Sequence, residues 1–365
     1  MSDPQPQYES APLTITWEPT RACDLACLPC RAAVQPKRSR FELSTYESYK
    51  LVDQIAKLRP RRFFISGGDP LKRDDLYHLV DYARRRGLPP IVTTTATPSL
   101  TEENVTRLKN SGADAIALSL DGSTATTHDS FRGLPGSFEQ TMRIARHARA
   151  IELPLEINTL VEQRSLPDID AIVAILSTLD IRTWRLFFLV PMGLVGKENM
   201  ISAVEAEDLF GALYEMSLIA PFEIETSEAT HYRRFVLQRK LHDAGISINQ
   251  VLDHDGLVDP ATINKLLGTT DLAHGQATDT LFVSHTGEVT ISRFLPLAGG
   301  NMHYESLADV WRDSALFRGL RNREVFEGKC GRCEFQRLCS GSRARAYAVY
   351  RDPFESDPLC AYHPG

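Results

Sequence analysis

Short apolar runs alternate with amphipathic stretches over the first 218 residues. Leu13 to Trp17 reads as a strand. Leu51, Val52, Ile55 and Leu58 then share one face of a helix that Ser44 and Thr45 can cap. Phe63, Phe64 and Ile65 predict a short buried strand ending at Gly67-Gly68. A helix from about Asp74 to Arg86 leads to a strand from Ile91 to Thr94. The next helix starts at Thr101, with Glu102 and Glu103 in its first turn, where the helix dipole favours negative charge. Strands at Ala115–Leu120, Leu155–Leu160 and Trp184–Val190 follow. They alternate with helices at Phe138–Ala150, Asp168–Leu179 and Val204–Leu218.

Six β-α units in series, with continuously apolar strands, predict an α/β fold: a parallel sheet covered by helices. Right-handed crossovers curve such a sheet towards a barrel, and six units make a partial (β/α)6 barrel rather than the usual eight-fold one. Sites on such sheets lie at the strand C-termini. Loops after three strands, at Cys23–Cys30, Gly67-Gly68 and Pro191–Gly196, therefore share one edge. Residues 1–12 are expected to be disordered, 13–236 to form the barrel, and 237–280, interrupted by Gly245, Gly256 and Gly268, to be a linker or lid. Residues 281–365 form a small second domain. It opens with a hairpin from Leu281 to Ile291 that turns at Thr286-Gly287, and a helix from Leu307 to Arg318 follows.

Composition narrows the class of function. Apolar residues make up 42% and charged residues 24%, as in an ordinary globular chain. A net charge of −6 argues against nucleic acid as a partner, because phosphate neutralisation needs a basic surface. No apolar run reaches the ~20 residues of a membrane span. The polar, Pro-rich start lacks the features of a signal peptide, which predicts a cytoplasmic protein without a membrane partner.

The seven cysteines fall into two groups, Cys23, Cys27, Cys30 and Cys330, Cys333, Cys339, Cys360. An odd count in a cytoplasmic chain is poor material for a disulfide framework. The first group reads C-x3-C-x2-C on a loop after the first strand. Three thiolates on one loop can hold three irons of a cubane cluster and leave the fourth open. Zinc competes if His128 or another distant residue supplies a fourth ligand. The second group reads C-x2-C-x5-C-x20-C. Four thiolates can close a zinc site or ligate every iron of a second cluster, and spacing alone leaves both open.

With Gly67-Gly68-Asp69-Pro70 after the second strand, the chain resembles a radical S-adenosylmethionine enzyme along nearly its whole length. The resemblance implies that Cys23, Cys27 and Cys30 hold a [4Fe–4S] cluster whose open iron chelates S-adenosylmethionine. Reductive cleavage of that cofactor would give a 5′-deoxyadenosyl radical. Gly67, Gly68, Asp69 and Pro70 match the family's G-G-E-P stretch beside the methionine amino group, with Asp in place of Glu. Ser119, Asp121, Asn158, Val190 and Gly193 match cofactor-lining positions, and Arg143 is a candidate partner of the methionine carboxylate. Pro29 stands where the family usually has an aromatic residue or His, so the adenine contact differs.

The tail resembles the SPASM/twitch extension of these enzymes, which implies an auxiliary [4Fe–4S] cluster on Cys330, Cys333, Cys339 and Cys360. Ile291, Ser292 and Arg293 occupy the hairpin where such a domain often has a further Cys. The spacing, with Gly341 to Tyr347 and Asp357-Pro358, is similar to the branch that oxidises propionate side chains of haem precursors. It implies a small-molecule tetrapyrrole substrate and a reductant such as flavodoxin or ferredoxin. A maturase of a ribosomally made peptide, forming a crosslink or oxidising a side chain, is the alternative. Only twelve residues precede Leu13, so no fused leader-peptide-binding domain is expected. A zinc-binding interaction protein is the reading from another class. His231, Tyr232, Arg233 and Arg234, followed by Arg239 and Lys240, are the candidate catalytic or substrate residues, since Arg forks match carboxylates.

Overall fold

Seven strands run parallel, each bonded to the next in chain order: β1 (Thr14–Trp17), β2 (Arg62–Ile65), β3 (Pro90–Thr93), β4 (Ala115–Ser119), β5 (Leu155–Val161), β6 (Thr183–Phe188) and β7 (Glu223–Ser227). The computed structural model describes residues 11–365 apart from 26, 28, 29, 31–34, 194, 260 and 264–278. Pro29 and most of the segment expected to be a disordered N-terminus lie outside the described residues.

Helices α1 (Thr45–Leu58), α2 (Leu76–Arg85), α3 (Glu102–Asn110), α4 (Ala125–Arg132), α5 (Ser137–Ala150), α6 (Ile169–Leu179), α7 (Ala203–Ser217) and α8 (His231–Asp243) follow the strands. Ser44 caps α1 as the sequence predicts, in a reciprocal box with Glu47. Strand alternation then sorts the side chains between two faces. Ile15, Trp17, Phe63, Ile65, Ile116, Leu118 and Ile157 pack in the main core. Thr14, Thr16, Phe64, Ser119, Asn158 and Arg185 face a cavity on the other side of the sheet. Part of that inner face is ionic. Arg185 pairs with Glu156 (3.1 Å) and Glu225 (2.9 Å), and its guanidinium lies 4.7 Å from the Phe64 ring centre.

Three departures from the sequence reading matter. First, the sheet has a seventh parallel strand, β7. Its half-buried, polar Glu223-Ile-Glu-Thr-Ser lacks an apolar run, so hydropathy hid it. Second, β8 (Thr280–Val283) pairs in parallel with the free side of β1, from Thr14↔Thr280 to Trp17↔Val283. β9 (Glu288–Thr290) and β10 (Gly300–Asn301) extend it antiparallel, so one ten-stranded sheet runs through both expected domains. The hairpin turn is where it was expected, with Gly287 at φ 82°.

Third, the stretch read as a linker or lid begins inside α8. Leu237 and Leu241 are buried with Val251, Val258, Ile263, Phe335, Leu338 and Cys339 in a second core. Residues 237–263 are thus largely a packed shoulder against the C-terminal cysteines. The predicted helix from Leu307 is two, α9 (Leu307–Asp313) and α10 (Ala315–Arg321), broken at Ser314, whose backbone is extended. The last helix is α11 (Arg343–Tyr350). No described helix is long and apolar enough to cross a membrane.

Candidate functional site

The loop after β1 is held by the glycines after β2. Gly68 N–H donates to Thr20 O (2.9 Å) and Asp69 N–H to Ala22 O (2.7 Å). A Cβ on Gly67 would stand 2.5 Å from Thr20 O, and one on Gly68 would run into Ala22 O, so only glycine permits this approach. Cys23 N–H then donates to Gln35 O (2.9 Å), and Cys30 N–H to Cys27 O (3.1 Å), which folds the three cysteines into a tight loop. Gly193, at φ 67°, packs its Cα against Cys30, where a Cβ would lie 3.4 Å from the Cys30 carbonyl oxygen. The three sequence segments predicted to share one edge do so.

Burial pushes the Cys23 thiol up to about 11. Burial also raises Cys27, against the pull of Arg132, whose guanidinium lies 3.9 Å from its sulfur. Thiols in this state become ligands where metal charge offsets their burial. Arg132 ion-pairs Asp121, and Asp121 accepts the Leu160 N–H at 2.7 Å. Sequence reasoning missed Arg132, because α4 is only eight residues long and shows no clear apolar stripe.

Ser119, Asp121, Asn158 and Val190 all line one cavity of about 1180 Å³ inside the sheet. Asp69 does not line it. Its carboxylate accepts from Leu71 N–H (3.1 Å), Thr94 Oγ1 (3.1 Å) and Thr97 Oγ1 (2.6 Å), so the side chain shapes the turn and only the backbone faces the cysteine loop. Pro70 opens the short 3-10 turn that follows. Arg143 is a correction. It lies on the outer face of α5, its side chain 59% exposed and 3.8 Å from Glu102, because its register puts it opposite the buried Met142 and Ile144. His128 is no metal ligand either: its Nδ1 accepts the Asp121 N–H at 3.1 Å, and it packs edge-on against Phe138.

Cys330, Cys333, Cys339 and Cys360 line a second, smaller cavity together. Burial pushes Cys333 up to about 12 and also raises Cys339 and Cys360. A tetrahedral zinc with Zn–S near 2.3 Å would bring its sulfurs to about 3.8 Å from one another. Among the described residues no three cysteine sulfurs lie within 4.8 Å, for either group. Three cysteines on one loop and four around one cavity are donor sets that an iron–sulfur cluster can use.

The first turn of α8 separates the two cavities. Thr230 lines the large one, and its hydroxyl lies 3.7 Å from Cys339 Sγ. Consecutive helical residues point about 100° apart, and the four candidates divide accordingly. Tyr232 and Arg233 face the large cavity. Arg233 bonds Asp279 (3.2 Å), while its buried Nη1 has no hydrogen-bond partner. Arg234 faces the cysteine cavity, held by Glu207 and Gln238, with its guanidinium 5.0 Å from the Tyr362 ring centre. His231 lines neither cavity. It is fully buried between Phe210 and Asp357, and burial lowers it to about 3, which keeps the ring neutral. It has no route to substrate.

The Radical SAM superfamily profile matches residues 17–162. The AdoMet-dependent heme synthase of Methanosarcina barkeri is 34% identical over 98% of this chain and 98% of its own length. The mycofactocin maturase MftC of Mycobacterium tuberculosis is 28% identical over 99% of this chain and 87% of its own. In fold, the chain superposes on Streptococcus suis SuiB bound to S-adenosylmethionine. The TM-score is 0.73 at 17% identity, covering 97% of this chain and 78% of that one.

Proposed function

Because the chain belongs to the radical S-adenosylmethionine superfamily, with AdoMet-dependent heme synthases among its full-length relatives, we propose that it oxidatively modifies a propionate side chain of a tetrapyrrole. Membership in an enzyme superfamily replaces the reading as a zinc-binding interaction protein. When bound at Cys23, Cys27 and Cys30, the cluster and S-adenosylmethionine supply a 5′-deoxyadenosyl radical able to take a hydrogen atom from an unactivated carbon.

The remaining work falls to the chain itself. Gly67 and Gly68 fix the cysteine loop against the strand edge, where Ser119, Asp121, Asn158, Val190 and Gly193 would hold the cofactor. Tyr232 and Arg233 approach the same cavity from α8. Cys330, Cys333, Cys339 and Cys360 would hold an auxiliary cluster, with Thr230 as the wall between it and the substrate. A flavodoxin or ferredoxin is the proposed source of electrons.

The observation behind the substrate class is the cavity. At about 1180 Å³ it has room for a substrate beside the cofactor. Phe64, Phe187, Phe282 and Phe294 give it aromatic walls, and Arg61, Arg233 and Lys240 give it cations. A flat aromatic macrocycle bearing carboxylates suits both. Anaerobically reconstituted enzyme titrated with iron-coproporphyrin III should shift the Soret band saturably. With reductant and S-adenosylmethionine, mass spectrometry should then find loss of carboxyl mass or of hydrogens. Release of 5′-deoxyadenosine with no Soret shift would favour the second reading, a peptide maturase, which the likeness to MftC supports.

A further inference from the structure

The large cavity runs the length of the strands. At one end are Ser119, Asp121 and Val190 beside the cysteine loop. At the other are Thr14, Arg62 and Glu223, which begin their strands. A strand of four residues at about 3.3 Å each separates these ends by about 13 Å. The far end is the mouth of the seam between β7 and β8, which do not pair with each other. There α8 fills the gap, presenting Arg233 and, seven residues and about 10 Å further on, Lys240.

The charge at this mouth is unbalanced. Arg59, Arg61, Arg62, Arg233 and Lys240 line it against Glu223, Glu225 and Asp279. Arg62 is taken up by Glu223 and Glu225. Arg233 uses one nitrogen on Asp279 and leaves Nη1 buried without a partner. Arg59 sits at the end of α1 in the left-handed conformation, φ 50°, where glycine is the unstrained choice. A long cationic side chain at that position lines the cavity instead.

We propose that Arg59, Arg233 and Lys240 form an anchor, at the mouth remote from the cysteine loop, for those carboxylates of the substrate that the reaction leaves intact. This rests on the tetrapyrrole reading. A macrocycle held there by two propionates would direct its opposite edge towards the end of the cavity where the radical arises. Substrate orientation would then be set by charge at the far end rather than by contacts at the reacting carbon.

The test uses the full-length, anaerobically reconstituted enzyme and Soret titrations with two probes, iron-coproporphyrin III and its tetramethyl ester. R59Q/K240Q and, separately, R233Q should weaken binding of the tetra-acid by about tenfold or more, since each charge-assisted bond is of that order. Binding of the ester should be equal in wild type and variants. Thermal unfolding and iron content would show that the variants are folded. If the variants bind the tetra-acid as tightly as wild type does, the anchor is wrong while the substrate reading stands. If wild type binds neither probe, the substrate reading fails and the anchor falls with it.

Discussion

Arg345 and Asp357 meet in two hydrogen bonds of 3.0 and 3.1 Å, with neither side chain exposed to solvent. Arg345 also donates to the carbonyls of Phe188 (3.2 Å), Leu189 (3.0 Å) and Glu228 (2.6 Å), at the ends of β6 and β7. Asp357 accepts the N–H of Ser342 and stands three residues before Cys360. Burial pushes its carboxyl up, but the Arg345 charge outweighs this and holds it down to about 2. The pair thus ties the barrel rim to the peptide that carries the fourth C-terminal cysteine.

Arg345→Met would strand Asp357 as a buried, unpaired charge, which typically costs about 3–5 kcal/mol. The expected result is a lower unfolding midpoint in denaturant and, on the proposed two-cluster reading, iron lost from the C-terminal cysteines and retained by Cys23, Cys27 and Cys30. Iron analysis with the paramagnetic spectrum of each cluster distinguishes the two sites. Full iron and an unchanged midpoint would contradict the role given to the pair.

Gly68→Ala places a methyl group against the Ala22 carbonyl, in the loop that leads to Cys23. The loop must move, so the N-terminal cluster should assemble poorly and S-adenosylmethionine binding should drop at least tenfold. The C-terminal iron should remain. An alanine variant with wild-type cofactor affinity would show that the approach of the two loops is not needed.

His128 gives a pH dependence of stability. Its ordinary value is 6.5, and burial, reinforced by Arg132, lowers it to about 4 in the fold. Between those values the unfolded chain takes up a proton that the folded chain refuses, so stability falls as pH drops from 6.5 to about 4 and then levels. The shift corresponds to roughly 3 kcal/mol. In His128→Asn that part of the slope should vanish. Urea melts of both proteins across the window would show it, and parallel curves would refute it.

Neighbours on α8 should behave differently. Arg233→Gln should raise KM for the porphyrin and leave both cluster spectra unchanged. Arg234→Gln removes a positive charge beside Cys339 and Cys360, so the auxiliary cluster should become harder to reduce. A redox titration followed by electron paramagnetic resonance separates the two. A shared phenotype would mean that the helix turn does not divide the cavities.

The β-α rhythm was readable because each early strand is a short apolar run and each helix buries a stripe against it. Ser119, Asp121, Asn158 and Val190 are named through the family resemblance, and they meet because each lies in or just after a parallel strand of one sheet. Other features depend on direction rather than order. Arg143 differs from its buried neighbour Met142 only by one step around a helix. His231, Arg233 and Arg234 look alike as a basic stretch, yet one is sealed in the core, one faces the barrel and one faces the C-terminal cysteines. The polar strand β7 gave no hydropathy signal at all. The pairing of β8 with β1 joins residues more than 260 positions apart, from Thr14 to Thr280, which no local pattern records.

That pairing decides what can be cut from this protein. A chain ended before Thr280 would lose the four residues that cover β1 and expose the backbone of the strand leading to Cys23. A bare strand edge of this kind is a template for another copy of the same chain. Truncation should therefore yield self-associating, insoluble material rather than a free-standing barrel, and the segment from Thr280 onwards acts as the guard on the sheet's open flank.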